Sequence, residues 1–248
     1  MTVIARRVWL VVALVAVAAT IGYAAEEPVG GGTGDAVYAP LPAPPAGAVV
    51  LFNGKNVDNW HYSSGEPAMW PVADGVVTVS RGDIISNETH EDAWIHVEFK
   101  EPSMPNASGQ GKGNSGIYVQ GRYEIQVLDS YGIKVPGKGD CGAIYGQYAP
   151  LGNACRPPLE WQSFDIIFRA PRVDAAGKVA EPGRMTIFQN EILIQNNAEL
   201  TALTPRSYNT TVGGPGPLVL QDHGAAVQYR NVWLVKLPLK GSDTYEGR

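Results

Sequence analysis

Cysteine, histidine and clustered positive charge are scarce in this chain. It has two cysteines, Cys141 and Cys155, and four histidines. No CxxC or Cys/His spacing accompanies the cysteines, so their spacing does not suggest zinc. The 19 Lys and Arg residues are outnumbered by 24 Asp and Glu, which gives a net charge of −5. No run of Lys and Arg stands out, which argues against nucleic acid as a partner. Beyond the N-terminal segment there is no long apolar run and no sustained helical spacing, so neither a helical bundle nor a helical membrane domain is expected.

The residues present favour short strands and frequent turns. The chain is 44% hydrophobic over 248 residues, enough for a core, and it carries 29 Gly and 19 Pro. Arg6 and Arg7 precede an apolar run from Val8 to about Ala19, followed by small residues through Ala24 and Ala25. This is the pattern of a secretory signal over 1–25, and it implies export to the periplasm or the extracellular space with no stable span after cleavage. Residues 26–47 are rich in Gly, Pro and Ala and read as a tether. A folded domain is expected over 48–238, with a polar tail at 239–248. In an exported protein, Cys141 and Cys155 are expected to form a disulfide.

Period-two alternation marks strands at Val76–Val79, Ala93–Phe99, Ser115–Gln120, Tyr123–Leu128, Ser163–Arg169, Arg184–Phe188, Ile192–Gln195, Leu218–Gln221 and Gln228–Val235. A hairpin turn is expected at Asn190-Glu191. Together these elements predict an all-β, antiparallel β-sandwich.

Several strands carry chemistry on one face. In Tyr123–Leu128, Tyr123, Ile125 and Val127 form an apolar set, and Glu124 and Gln126 lie opposite. In the preceding strand, Ile117 and Val119 are apolar, and Tyr118 and Gln120 share the other face. If these strands pair, Tyr118, Gln120, Glu124 and Gln126 lie side by side, a set suited to sugar hydroxyls. Tyr145 and Gln147 are similar in kind, and so is Gln221 on a later strand that ends at His223. Asp165 and Arg169 share a strand face and either pair with each other or line the same cleft. Conventional glycoside hydrolysis uses two nearby carboxyl groups, and the strand bearing Glu124 does not supply a second one.

Six motifs then occur in order: Leu51-Phe-Asn-Gly-Lys55 with Trp60, Gly113-Asn-Ser-Gly-Ile-Tyr118, Tyr123-Glu-Ile-Gln-Val-Leu-Asp129, Gly142-Ala-Ile-Tyr-Gly146, the segment from Trp161 to Arg172, and Leu220-Gln-Asp-His-Gly224. In these the chain resembles the 3-keto-disaccharide hydrolase family. The resemblance covers about Val49 to Leu237. It implies a concanavalin A-like jelly roll and an enzyme that cleaves 3-keto-glycosides by proton abstraction at C2, elimination and hydration. On that basis Glu124 and His223 are the candidate catalytic pair. Tyr118, Gln120, Gln126, Tyr145, Gln147, Asp165, Arg169 and Gln221 are the candidate substrate-binding residues. No cofactor is certain, although a divalent metal held by Glu124 and His223 is an option. The substrate would be an oligosaccharide or glycoside, made by an upstream sugar 3-oxidoreductase. The alternatives are a noncatalytic, lectin-like carbohydrate-binding module and an ordinary endo-glucanase, for which Asp165 is the nominee as second carboxylate.

Overall fold

A computed structural model of the chain describes residues 43–239. The expected signal at 1–25, most of the linker at 26–47 and all but the first residue of the tail at 239–248 lie outside the described residues. The strands are β1 (Val49–Phe52), β2 (Trp60–His61), β3 (Val72–Ala73), β4 (Val76–Thr78), β5 (Ile84–His90), β6 (Ala93–Lys100), β7 (Ser115–Val119), β8 (Tyr123–Val127), β9 (Gln162–Arg169), β10 (Arg172–Val173), β11 (Val179–Glu181), β12 (Arg184–Gln189), β13 (Ile192–Glu199), β14 (Gly216–Leu220) and β15 (Gln228–Lys236). Among the described residues the only helical element is a 3-10 turn at Gly109–Gly111. No helix there is long and apolar enough to cross a membrane.

Two antiparallel sheets form the sandwich. The larger runs β13-β12-β9-β6-β15-β4-β3, with β1 also paired to β15, and the smaller runs β2-β5-β14-β7-β8. A short ribbon, β10-β11, stands apart from both sheets. The larger sheet sends Ile95, Val97, Phe99, Phe164, Ile166, Phe168, Met185 and Ile187 inward. The smaller sheet answers with Ile117, Val119, Tyr123, Ile125, Val127, Leu218 and Leu220 in the same continuous cluster. Phe99 and Phe164 stack at 4.7 Å between centroids. Each such side chain contributes about 1.5–3 kcal/mol by leaving water.

All nine strands read from alternation are present, and the sandwich is the one expected. The hairpin between β12 and β13 turns at Asn190 and Glu191, both with positive φ, as a two-residue turn requires. Alternation did not reveal β5, because Ser86, Asn87 and Glu88 interrupt its apolar pattern. The remaining unread strands, β1, β2, β3, β10 and β11, are two to four residues long, too short for a period to register.

The cysteines correct an expectation. Cys141 and Cys155 are buried free thiols, not a disulfide. Their sulfurs are instead engaged by neighbours: the Gln189 amide donates to Cys141 Sγ, and the Gln162 amide donates to Cys155 Sγ.

Gln120 corrects another. It lies in the tight turn between β7 and β8, with φ +55, followed by Gly121 at φ +65. Positive φ takes it out of the alternation that faces Tyr118 outward. Its side chain is fully buried, donates to the His90 carbonyl at 2.8 Å and accepts from Arg122 at 2.6 Å. The Arg122 guanidinium is buried too, and it also donates to the carbonyls of Thr211, Gly213 and Gly214. It thereby ties the 204–214 loop to the β7–β8 turn. Arg122→Met should cost about 2–4 kcal/mol, because it leaves several buried carbonyls and the Gln120 side-chain oxygen unpaired. Urea unfolding is the measurement, and proteolysis should become faster within residues 204–214 than elsewhere.

Candidate functional site

The outer face of the smaller sheet carries the candidate site. β7 and β8 pair so that Tyr118 faces Glu124 and Gly116 faces Gln126. β14 flanks β7, placing Val219 beside Tyr118, and Ile85, Tyr118 and Val219 form a small apolar patch separate from the main core. Beside this patch lies a pocket of about 160 Å³ lined by Gln110, Asn114, Tyr118, Glu124, Gln126, Tyr145, Pro205, Arg206, Gln221 and His223.

Polar groups in this pocket hold one another and leave acceptors free. The Gln126 amide donates to Gln110 Oε1 at 2.9 Å, and Gln110 donates to the Gly139 carbonyl at 2.7 Å. Asn114 donates to the Gln110 carbonyl at 2.7 Å. Gln221 donates to the Tyr118 hydroxyl at 3.1 Å. Each of these amides spends its NH₂ group inside the protein. The side-chain oxygens of Asn114, Gln126 and Gln221 have no partner. Buried acceptors are normally paired, so three orphans lining one pocket are a set waiting for donors such as hydroxyl groups.

Glu124 is the sole carboxylate in the lining. It is 4% exposed, and its pKa is pushed up to about 7. Burial is the main cause, and nearby Asp83 adds to it, while a hydrogen bond from Tyr118 and the charge of Arg206 oppose it. Burial and the same carboxylate also raise the Tyr118 phenol well above its usual range. Backbone space matters as much as charge here. A Cβ at Gly116 would sit 2.4 Å from Glu124 Oε1, so only glycine lets the carboxyl rest across β7.

The pocket thus gathers four of the expected binding residues, Tyr118, Gln126, Tyr145 and Gln221, with both expected catalytic ones, Glu124 and His223; Gln120 is not in the lining. The Tyr145 amide donates to the Glu124 carbonyl at 3.0 Å, which brings its loop to the rim. His223 is exposed at the mouth. Three further expectations are corrected. Gln147 uses both ends of its amide on the backbone of Thr201 and Ala202 and is not in the lining. Asp165 is on β9 of the opposite sheet, where it accepts from Trp94 Nε1 and from His96, each at 3.0 Å. Arg169 does not pair with Asp165; it meets Asp92 at 2.6 Å and the carbonyls of Pro238 and Leu239.

Gln110, Asn114, Pro205 and Arg206 are the lining residues that sequence reasoning did not single out. Asn114 lies within the quoted Gly113–Tyr118 motif, so a signal was there. Pro205 and Arg206 come from a loop with no period, delivered by Arg122 and by Thr204, whose hydroxyl accepts from the Glu124 amide at 2.9 Å. Among the described residues, no third His, Cys or carboxylate joins Glu124 and His223 in a group close enough to share one metal ion.

The 3-keto-alpha-glucoside-1,2-lyase-like domain matches residues 47–235. The chain belongs to that family. It is also 37% identical to a proposed glycosyl hydrolase from Parabacteroides distasonis ATCC 8503, with a TM-score of 0.72 over 77% of this chain and 84% of that one. Two further proposed glycosyl hydrolases from the same organism share the fold. One has 22% identity and a TM-score of 0.58 over 77% of this chain and 94% of that one. The other has 21% identity and a TM-score of 0.53 over 77% of this chain and 99% of that one. The comparison with curated proteins gives no match. Membership of the family and the sandwich fold together make this a carbohydrate-active protein.

The raised Glu124 pKa has a thermodynamic consequence. The unfolded chain ionises this group near its usual carboxylate value, and the folded chain only near pH 7. Folding therefore loses stability as pH rises between those two values, by up to roughly 3 kcal/mol. Glu124→Gln should stabilise the protein at pH 8 and leave it nearly unchanged at pH 4. Urea midpoints at the two pH values test this.

Proposed function

We propose that this protein cleaves 3-keto-glycosides by elimination, with Glu124 as the base that removes the C2 proton. The observation that supports this reading most directly is that Glu124 is the one carboxyl group in the pocket lining; nearby Asp83 lies outside it, with its oxygens held by the Tyr208 hydroxyl and the Asp222 amide. The pocket is lined by one carboxyl group, where two-carboxylate hydrolysis needs a pair within about 10 Å. The nominee for the second, Asp165, is on the outer face of the other sheet, with the core between them. Stacked sheets are themselves about 10 Å apart, so side chains on their two outer faces are farther apart still.

A keto group at C3 supplies what the second carboxylate would otherwise provide. It acidifies the hydrogen at C2. Glu124, with a pKa near 7, is suited to accept that proton and to return one at neutral pH. The electron pair moves into the C2–C3 bond as an enolate, and the charge develops on the C3 oxygen. Tyr118 and Arg206 are the donors at hand to stabilise it. The pair then returns to form the C1–C2 double bond as the C1–oxygen bond breaks. His223, at the mouth, is placed to give the departing oxygen its proton. Water added across the double bond completes the hydrolysis. The unpartnered oxygens of Asn114, Gln126 and Gln221 would accept from the sugar hydroxyls and hold the ring. On this reading the signal expected at 1–25 exports the protein, and an oxidoreductase acting at C3 supplies the substrate.

The lectin-like reading draws on the same three orphan acceptors, since they suit hydroxyls whether or not a bond is cleaved. A chromogenic 3-keto-glucoside and its unoxidised parent separate the readings. The expected result is release from the keto compound alone. Release from the parent would overturn the elimination route, and binding of glycan without release from either would favour the lectin-like role. Glu124→Gln should lower turnover by about 10²- to 10⁴-fold with binding retained. Gly116→Ala is a second probe of the same group. It should still fold, because the atoms it meets all belong to the Glu124 side chain and none to backbone, yet lower kcat by displacing the Glu124 carboxyl.

A further inference from the structure

Away from the cleft, three ligand-bearing side chains meet inside the sandwich. Glu101 follows β6, Cys141 lies on the loop after β8, and Cys155 precedes β9. One ligand atom from each, a carboxylate oxygen and two sulfurs, lies within 4.8 Å of the others, and all three residues are buried. A tetrahedral zinc ion with bonds of about 2.0–2.3 Å sets its oxygen and sulfur ligands roughly 3.5–3.8 Å apart. The cluster therefore has the size of a single ion's coordination sphere.

The surroundings of the cluster favour a cation. Gln162 Nε2 donates to Glu101 Oε2 at 2.7 Å and to Cys155 Sγ at 3.7 Å, and Gln189 Nε2 donates to Cys141 Sγ at 3.4 Å. These are the second-layer donors that anionic metal ligands normally receive. Glu101 Oε1 is buried and has no hydrogen-bond partner, and neither has Gln189 Oε1. A carboxyl buried beside two thiols, with one oxygen held by an amide and the other unpartnered, is costly unless it stays protonated or meets a cation. A disulfide would use the two sulfurs and leave the orphan Glu101 oxygen unexplained.

We propose that Glu101, Cys141 and Cys155 form a structural site for one zinc-like divalent cation. The unpartnered Gln189 oxygen, on an amide that already touches Cys141 Sγ, is the candidate for the fourth position. Binding releases the protons these groups carry; Cys155 Sγ lies 3.5 Å from the Arg156 carbonyl and 3.7 Å from the Leu128 carbonyl. The site is separate from the cleft and closed to substrate. Its effect on the cleft is mechanical. Gly142, next to Cys141, donates to the Gln126 carbonyl at 2.9 Å, and Gln126 donates to the Ala143 carbonyl at 3.0 Å. Fixing Cys141 thus fixes the loop that presents Tyr145 and the Gly139 carbonyl to the pocket.

The test uses the whole purified chain and the metal ions alone. Metal content after dialysis, uptake of Zn²⁺ and Co²⁺, alkylation of the thiols and intact mass are measured. The expected result is one Zn²⁺ per chain, with both thiols resistant to alkylation until a chelator is added. Co²⁺ in its place should give a thiolate-to-metal charge-transfer band. Glu101→Gln, which retains the shape of the side chain, should weaken Zn²⁺ binding on the order of tenfold or more while leaving both thiols in place. A chain with two free thiols that takes up neither ion would overturn the proposal. So would an intact mass two hydrogens lower, which would mean that the sulfurs are joined to each other. Glu101→Gln binding Zn²⁺ as tightly as the wild type would remove the carboxylate from the site and overturn it as stated.

Discussion

The pairing of β7 with β8 in one register is the constraint on which the candidate site depends. It puts Tyr118 against Glu124 and the bare backbone of Gly116 under the Glu124 carboxyl. Tyr123, Ile125 and Val127 lock the register, because each is buried on the opposite face. A slip of one residue would drive Glu124 and Gln126 into the core and expose that apolar set, at a cost of many kcal/mol. Hydrophobic burial on one face is therefore what aims the polar chemistry on the other.

The protein's titratable groups show how environment separates function from structure. Glu124 faces a pocket with its charge only partly compensated, so its pKa sits near 7. His96, on the outer face of the larger sheet, is also well buried, which by itself would lower its pKa. Hydrogen bonds to Asp165 and Glu98 outweigh burial and raise it to about 9. Glu98 is in turn held by Arg230 at 2.7 Å, and the Arg230 guanidinium lies 3.9 Å from the Trp161 ring centre. Every charge in that second group has a partner, which is how a sheet surface is braced. Both sites hold shifted groups, and only the first keeps an acid in a pocket lined by free acceptors.

The walls of the pocket come from irregular segments, and each is tied to a strand by buried polar contacts. Arg122 and Thr204 bring in the loop with Pro205 and Arg206. The backbone pairing of Gln126 with Gly142 and Ala143 brings in the loop with Tyr145. Asp222, which begins the turn containing His223, accepts from the Gly82 amide at 2.9 Å, and its own amide donates to Asp83 at 2.6 Å. Loops placed this way can differ between relatives while the sheet beneath them keeps Glu124 in position.

The sequence by itself determined nine of the fifteen described strands, the sandwich and the outward direction of Tyr118, Glu124, Gln126 and Gln221. These follow from alternation along a strand, which is a local rule that needs no knowledge of the partner. Only the tertiary structure decided which outward residues share a cleft. Asp165 and Glu124 follow the same rule on their own strands, yet β9 and β8 belong to opposite sheets, and sheet membership is set by distant pairings that no local pattern encodes. Gln120 left the pattern because its turn needs positive φ. Cys141 and Cys155 came together as unbridged thiols, each sulfur engaged by a glutamine amide, and Glu101 reached them from far upstream in the chain. Pro205 and Arg206 carried no period at all, and a buried arginine and a threonine hydroxyl placed them. Alternation says which way a side chain points, and packing of the whole chain says what it then faces.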